Sequence, residues 1–133
     1  MTSTQRRAKK RGKGKIRKHP ATYRLTALAS AMLYALSNNL GISMASIVEL
    51  AVREHCSDPG KPGPWDPSED KLPGTYRMTP ESIGLIVKLC ESYKKHELKV
   101  PISAIVENAV RRYYDRARVI HKLPDADKLL KRS

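Results

Sequence analysis

A five-residue segment, Thr-Tyr-Arg-Leu-Thr at 22–26, recurs as Thr-Tyr-Arg-Met-Thr at 75–79. Four of the five positions are identical, and the fifth exchanges Leu25 for Met78, another apolar residue of similar size. A second block also recurs, because Ile-Val-Glu-x-Ala-Val-Arg occupies 47–53 and again 105–111. Two separated blocks that match in the same order predict one structural unit encoded twice, and such a repeat restricts the possible folds.

The spacing of the two blocks differs between the copies. The offset is fifty-three residues at the first block and fifty-eight at the second. The second copy therefore carries five extra residues, which we expect between its two helices around Lys94–Lys99.

Each short block has the alternation of a half-buried β-strand, in which successive side chains point to opposite faces. The inward face would hold Tyr23, Leu25, Tyr76 and Met78. The outward face would hold Thr22, Arg24, Thr75 and Arg77. Because a lone strand leaves half of its backbone groups unpaired, we expect the two segments to pair with each other.

Helical sequence follows each strand. Thr26 and Thr79 stand where N-caps are expected, Gly41 suits the left-handed end of the first helix, and Ser43 is a natural cap for the next. The predicted buried positions of the four helices are Ala29, Leu33, Leu36 and Leu40; Met44, Ile47, Val48, Ala51 and His55; Ile83, Ile86, Leu89, Cys90 and Tyr93; and Ile102, Ile105, Val106, Ala109, Val110 and Tyr113.

These features predict a division of the chain into five parts. We expect a disordered basic arm at 1–19, a first repeat at 20–56, a Pro/Gly-rich linker at 57–72, a second repeat at 73–115 and a C-terminal tail at 116–133. Proline keeps the linker extended, and its Trp65 is expected to pin it to the folded body. The tail is compatible with either a short amphipathic helix after Pro124 or a frayed end.

The charge indicates a polyanionic partner. The formal net charge is +13, which favours nucleic acid first and an anionic membrane surface second. Nine of these charges lie in the arm without a single acid, and the arm is interpreted as a set of phosphate contacts rather than a solubility tail. The arm cations are Arg6, Arg7, Lys9, Lys10, Arg11, Lys13, Lys15, Arg17 and Lys18.

A short strand, a helix ending at Leu-Gly and then a helix opening with Ser resemble the ribbon-helix-helix (Arc/MetJ-like) DNA-binding family. The resemblance covers 20–56 and 73–115. It implies a mainly α fold with a two-stranded antiparallel ribbon, built here by tandem repeats as an intramolecular pseudo-dimer. The ribbon would enter the major groove of double-stranded DNA, with Thr22, Arg24, Thr75 and Arg77 at base edges.

The resemblance also implies a phosphate clamp at the start of each second helix. Ser43, Met44 and Ala45 match it in the first copy, and Thr26 and Thr79 are further phosphate candidates at the ribbon ends. In the second copy Pro101 lacks an N–H, so Ser103 is the remaining candidate there. Side chains of the inserted segment could substitute for the missing clamp: Lys94, Lys95 and Lys99.

The sequence thus predicts a sequence-specific DNA-binding protein that is not an enzyme and needs no metal or cofactor. We expect a cytoplasmic, nucleoid-associated transcriptional repressor or an accessory protein at a plasmid or viral origin, with no membrane partner. An antitoxin, a basic RNA-binding or non-specific nucleic-acid-binding protein, and a helical interaction module remain alternatives. Cooperative assembly of neighbouring copies on DNA, through Trp65 or the tail, is left open.

Overall fold

The computed structural model describes residues 17–131. Within this range the protein is mainly helical with a two-stranded antiparallel sheet, as the sequence predicts. The elements in chain order are β1 (His19–Leu25), α1 (Ala27–Leu40), α2 (Met44–Ser57), β2 (Leu72–Met78), α3 (Pro80–Lys95), α4 (Ile102–His121) and α5 (Ala126–Lys131).

The two strands pair with each other, as expected from their repetition. In the antiparallel register Thr22 lies opposite Thr75, and the remaining pairs run outward from this centre to His19 with Met78 and Leu25 with Leu72. The strands begin earlier than predicted and include Pro20 and Pro73. Both strands of a two-stranded ribbon are edge strands, which is where a sheet tolerates proline.

The inner face of the ribbon closes the core. Leu25 and Met78 are fully enclosed, and Tyr23 and Tyr76 are also buried, which confirms the predicted alternation. The second helix of each repeat packs against the strand of the other repeat, α2 on β2 and α4 on β1. Helices α2 and α4 also pack against each other, so the two repeats share one hydrophobic core.

The helix ends follow local rules. The hydroxyls of Thr26, Ser43 and Thr79 each accept a hydrogen bond from the backbone N–H three residues later, so all three are the predicted N-caps. Gly41 ends α1 with a φ of 70°, the left-handed conformation expected of it. Pro80 occupies the first turn of α3, where its missing N–H costs no helical bond.

The extra residues of the second copy are divided between a helix and a turn. The α1–α2 turn spans only 41–43, whereas the α3–α4 turn spans 96–101. Helix α3 is also two residues longer than α1, with 16 residues against 14. The longer turn contains Glu97 at a φ of 62°, a conformation uncommon outside glycine.

The tail is folded, and it changes the predicted core. Helix α4 continues to His121, and α5 then packs against α1. Tyr114 is fully enclosed and its hydroxyl donates to the Pro124 carbonyl at 2.6 Å, whereas the predicted core residue Tyr113 is only partly buried. At the other end of α4, Ile102 is 40% exposed, because it lies in the first turn beside the open α3–α4 loop. The other predicted positions that are only partly buried are Leu40, Met44, Ile83 and Cys90.

The linker lies along the folded body. Arg112 donates hydrogen bonds to the carbonyls of Asp58 and Pro59, at 3.0 and 3.3 Å, and Tyr93 donates to the Gly60 carbonyl at 3.1 Å. The Lys71 ammonium sits 4.3 Å from the centre of the partly buried Trp65 ring. That contact lies within the linker, and the bond from this end to the body is the one that the Arg24 side chain donates to the Lys71 carbonyl at 3.3 Å.

Candidate nucleic-acid interface

The outer face of the ribbon presents the four residues that the sequence singles out. Thr22, Arg24, Thr75 and Arg77 are all exposed, while the alternate positions are buried beneath them. The hydroxyl oxygens of Thr22 and Thr75 are 2.8 Å apart at the centre of the ribbon. Two threonines and two arginines therefore form one continuous polar surface, with an arginine on either side of its centre.

The two arginines are held in the same way. An Nη2 of Arg24 donates to the Lys71 carbonyl at 3.3 Å, and that of Arg77 donates to the Lys18 carbonyl at 3.2 Å. Lys18 and Lys71 are fifty-three residues apart, which is the offset of the ribbons themselves. Each guanidinium has five N–H donors, so one weak anchor leaves the others for a ligand.

Sequence reasoning missed Lys71 as a member of this surface. The signal was present, because Lys18-His19-Pro20 and Lys71-Leu72-Pro73 share their first and third residues at the same offset. The repeated segment is therefore nine residues long rather than five. Its first residue, a lysine in both copies, supplies the carbonyl that anchors the arginine of the opposite strand.

The start of α2 carries the first predicted clamp. Ser43 is exposed, Met44 and Ala45 are partly buried, and the first-turn N–H groups of a helix have no partner within the helix. The Ser43 hydroxyl accepts from the Ser46 N–H at 3.1 Å and thus fixes the first turn. Ala45 holds the place in α2 that Ser103 holds in α4, and Ser103 is bonded to β1; because α2 packs on β2, we infer that this positively polarised helix end belongs to the β2 side of the ribbon.

The start of α4 is built differently. Pro101 is the N-cap and makes no side-chain capping bond, and the Ser103 hydroxyl accepts from the Arg24 backbone N–H at 2.9 Å. The Ser103 oxygen thus holds β1, and the hydroxyl keeps its O–H to donate to a phosphate. The residues that could compensate, Lys94, Lys95 and Lys99, are exposed on and after the last turn of α3.

Thr26 and Thr79 occupy a different environment from the one predicted. They are 3% and 6% exposed, and both their N–H groups and their hydroxyls are bonded to a buried carboxylate. The physical reason is that each ribbon end turns directly into a helix whose N-terminus faces the other repeat. In this arrangement the two threonines hold the fold together, and they offer no surface to a phosphate.

The two carboxylates are Glu49 and Glu107, neither of which the sequence indicated as important. Glu107 binds Thr26 and Glu49 binds Thr79, so each second helix caps the first helix of the other repeat. Burial alone would raise the pKa of Glu49, but hydrogen bonds from Ser82 and Thr79 outweigh it and lower the pKa below its ordinary value. The usable signal was their identical place in the repeated block at 47–53 and 105–111.

The basic arm is described in part. Arg17 and Lys18 are exposed directly before β1, and the Lys18 charge contributes to the lowered pKa of Glu49. The arm therefore joins the ribbon on the Arg77 side, where the Lys18 carbonyl is bonded. The remaining predicted arm contacts lie outside the described residues: Arg6, Arg7, Lys9, Lys10, Arg11, Lys13 and Lys15.

Two further properties of residues 17–131 bear on the class of site. No three His, Cys, Asp or Glu side chains in this range come together in a group that could hold a metal ion. No single helix there has the length and hydropathy needed to cross a membrane; α1 and α2, which meet at 106°, reach that threshold only when taken together.

Comparison with known proteins identified no relative of this chain. No protein-family model matches the chain, and no curated protein or solved structure is significantly similar to it.

Proposed function

We propose that this protein is a sequence-specific double-stranded DNA-binding protein of the ribbon-helix-helix type. In this proposal the repeats at 20–56 and 73–115 form a pseudo-dimer within one chain, and β1 and β2 enter the major groove. The observation that carries the proposal is the pairing of the two strands about Thr22 and Thr75, with Arg24 and Arg77 exposed at equal distances from that centre.

The chemistry of this surface suits base edges. Arginine donates two parallel hydrogen bonds to O6 and N7 of guanine, and threonine offers a hydroxyl to a base and a methyl to thymine. Arg24 and Arg77 lie two residues from the centre in opposite directions, which separates them by about 14 Å along the ribbon. At roughly 3.4 Å per base pair, we expect them to address bases about four pairs apart.

The surroundings of the ribbon suit the DNA backbone. The N-terminus of α2, capped by Ser43, would bind a phosphate, and the basic arm from 1–19 would neutralise further phosphates without reading sequence. The two arginines would then supply specificity, while the arm and the helix end supply position and affinity. Repression by occupancy of a promoter, or accessory binding at a plasmid or viral origin, would follow from the same interface.

The buried tyrosines favour duplex DNA over single-stranded RNA. Sequence-specific recognition of single-stranded RNA uses exposed aromatic side chains on which splayed bases stack. Tyr23 and Tyr76, the aromatic residues of the ribbon, are 5% and 9% exposed and face the core. The ribbon presents hydroxyls and guanidinium groups instead, which match the edges of paired bases.

The test is selection from a randomised pool of duplex DNA, followed by affinity measurements on the enriched site. Wild-type protein would be compared with Arg24→Ala/Arg77→Ala and with a chain lacking residues 1–18. We expect a motif that the double variant no longer distinguishes, and a chain without the arm that binds the same motif more weakly. If no motif is enriched and only loss of the arm reduces binding, the ribbon does not read DNA and the protein is a non-specific polyanion binder.

A further inference from the structure

We infer that the linker turn Asp66–Lys71, hereafter the acidic turn, gives the DNA-binding face a fixed polarity. The half beside Arg77 grips the DNA backbone, and the half beside Arg24 is held away from it by negative charge. The protein would therefore occupy its site in one orientation. This inference rests on the proposed function and specifies how that interface selects its DNA.

The acidic turn is an ordered structure. An oxygen of the Asp66 carboxylate accepts hydrogen bonds from the Ser68 N–H at 2.9 Å and from the Ser68 hydroxyl at 2.7 Å. The Lys71 ammonium donates to the carbonyls of Asp66 and Glu69, and it lies over the Trp65 ring. The single cation of the turn is thereby directed into the turn itself, and the Glu69 and Asp70 side chains are left exposed.

The acidic turn lies beside the Arg24 end of the outer face of the ribbon. It lines an open cavity of about 450 Å³ together with Arg24, Pro101 and Ser103. These are the arginine of β1 and the start of α4, the position that the second phosphate clamp would occupy. Glu69 and Asp70 line the same cavity, so their negative charge lies between Arg24 and the start of α4 and opposes the exposed lysines of the α3–α4 segment, Lys94, Lys95 and Lys99.

The Arg77 end of the outer face of the ribbon has the opposite charge. The described residues directly before β1, Arg17 and Lys18, are two exposed cations, whereas the residues at the same offset before β2 are Asp70 and Lys71, preceded by Glu69. The carbonyls of Lys18 and Lys71 hold Arg77 and Arg24 in the same way, yet the sequences leading to them differ in sign. The α2 N-terminus, capped by Ser43, adds its positive dipole on the Arg77 side.

The range of these charges is sufficient to act on bound DNA. Unpaired charges interact within roughly 10 Å at 0.1 M salt, which is comparable to the distance from a major-groove ribbon to the flanking phosphates. Acids near a phosphate backbone raise the free energy of the complex in a salt-dependent way, whereas cations lower it. A nearly symmetric ribbon flanked by opposite charges should therefore contact the backbone more extensively on one side of its site.

The experiment compares two charge-matched double variants of the full chain on the selected DNA site. Glu69→Gln/Asp70→Asn neutralises the acidic turn, and Glu91→Gln/Asp115→Asn removes the same charge from exposed positions on α3 and α4. Affinity is measured as a function of salt, and hydroxyl-radical footprints show how far protection extends on each side of the motif. The Lys18→Ala variant identifies which side of the footprint belongs to the Arg77 half, because protection should be lost on that side.

We expect an unequal wild-type footprint whose longer side shrinks with Lys18→Ala. The acidic-turn variant should extend the shorter side and bind about three- to tenfold tighter at 0.05 M salt, with little gain at high salt. An equal gain from the control variant, or a wild-type footprint of equal length on both sides, would overturn the inference while leaving specific DNA binding intact. Failure to enrich any DNA motif would instead remove the proposed function, and the inference with it.

Discussion

Glu107 accepts hydrogen bonds from both the backbone N–H and the hydroxyl of Thr26, at 3.0 and 2.7 Å, across eighty-one residues of sequence. Glu49 makes the corresponding pair of bonds to Thr79. Each second helix therefore completes the first helix of the other repeat. These contacts are buried, and each links a ribbon end, a helix N-terminus and the opposite repeat.

Removal of the Glu107 carboxylate should be strongly destabilising. Glu107→Ala leaves the Thr26 N–H buried without an acceptor. It also removes the carboxylate that pairs with Arg111 in the wild-type protein, where the Glu107 Oε2 lies 2.7 Å from the Arg111 Nε. We expect the free energy of unfolding to fall by about 3 kcal/mol. Urea unfolding at pH 7 measures the loss, with Thr26→Val and the combined variant completing a double-mutant cycle.

The matched control is Glu54→Ala. Glu54 forms an ion pair with Arg116 at 2.9 Å, but the two side chains are 39% and 53% exposed, respectively. Its removal should cost less than about 1 kcal/mol. A similar loss in both variants would show that the capping of Thr26 contributes nothing beyond an ordinary ion pair.

His55 should make the stability depend on pH. Burial, with the charge of Arg112 added, lowers the pKa of His55 from 6.5 to about 4. An Arg112 Nη1 lies 2.9 Å from the His55 Nδ1, and since arginine can only donate, the neutral ring accepts this bond. Between pH 6.5 and 4 the unfolded chain binds a proton that the folded protein does not, so the folded state loses stability as the pH falls.

His55→Gln should flatten this part of the stability curve, because glutamine has no proton to take up. The measurement is a series of urea unfolding curves from pH 7 to pH 4. His96→Gln, at an exposed position after α3, serves as the control and should retain the wild-type slope. An unchanged slope in His55→Gln would mean that another group causes the pH dependence.

Tyr114 should connect the C-terminal helix to the core. Tyr114→Phe keeps the buried ring and removes the 2.6 Å hydrogen bond to the Pro124 carbonyl. We expect a loss of about 1 kcal/mol, together with faster amide exchange in α5, because α5 follows directly after this contact. Tyr34→Phe, at a position 63% exposed, should change neither quantity. Unchanged amide exchange in α5 would show that the Tyr114 hydrogen bond does not stabilise this helix.

The cations at the start of β1 should set the salt dependence of DNA binding. For Arg17→Ala/Lys18→Ala we expect the negative slope of log K against log salt to become shallower, its magnitude falling by about 0.9 for each phosphate that the variant no longer neutralises. The selected motif should stay the same, because these residues are proposed to bind phosphates only. Lys88→Ala/Lys128→Ala removes equal charge from exposed positions of α3 and α5 and should leave the slope nearly unchanged.

The ribbon and the helix caps could be predicted because their causes are local or periodic. Alternation alone assigns Tyr23 to the core and Arg24 to the surface, and the repeat supplies the partner strand. Thr26 and Ser43 act as caps through residues three positions away. In these cases the sequence contains both the cause and its immediate partner.

The remaining features depend on contacts between distant segments. Glutamate is normally exposed, so a helical pattern cannot show that Glu107 is 1% exposed and bonded to the other repeat. Tyr114, rather than Tyr113, is enclosed in the core, with its hydroxyl bonded to the Pro124 carbonyl of the tail, and the periodicity of α4 contains no information about the tail. The path of the linker, which places Glu69 and Asp70 beside Arg24, is likewise set by the body it crosses.

The covalent connection between the two repeats through residues 58–71 also makes strand pairing independent of protein concentration. Strands supplied by separate subunits come apart on dilution, and their pairing varies with the number of molecules in the cell. Here the pairing is a first-order event within one polypeptide, so its equilibrium is the same for one molecule as for thousands. The ribbon surface thus persists at copy numbers at which a dissociable dimer would have lost it.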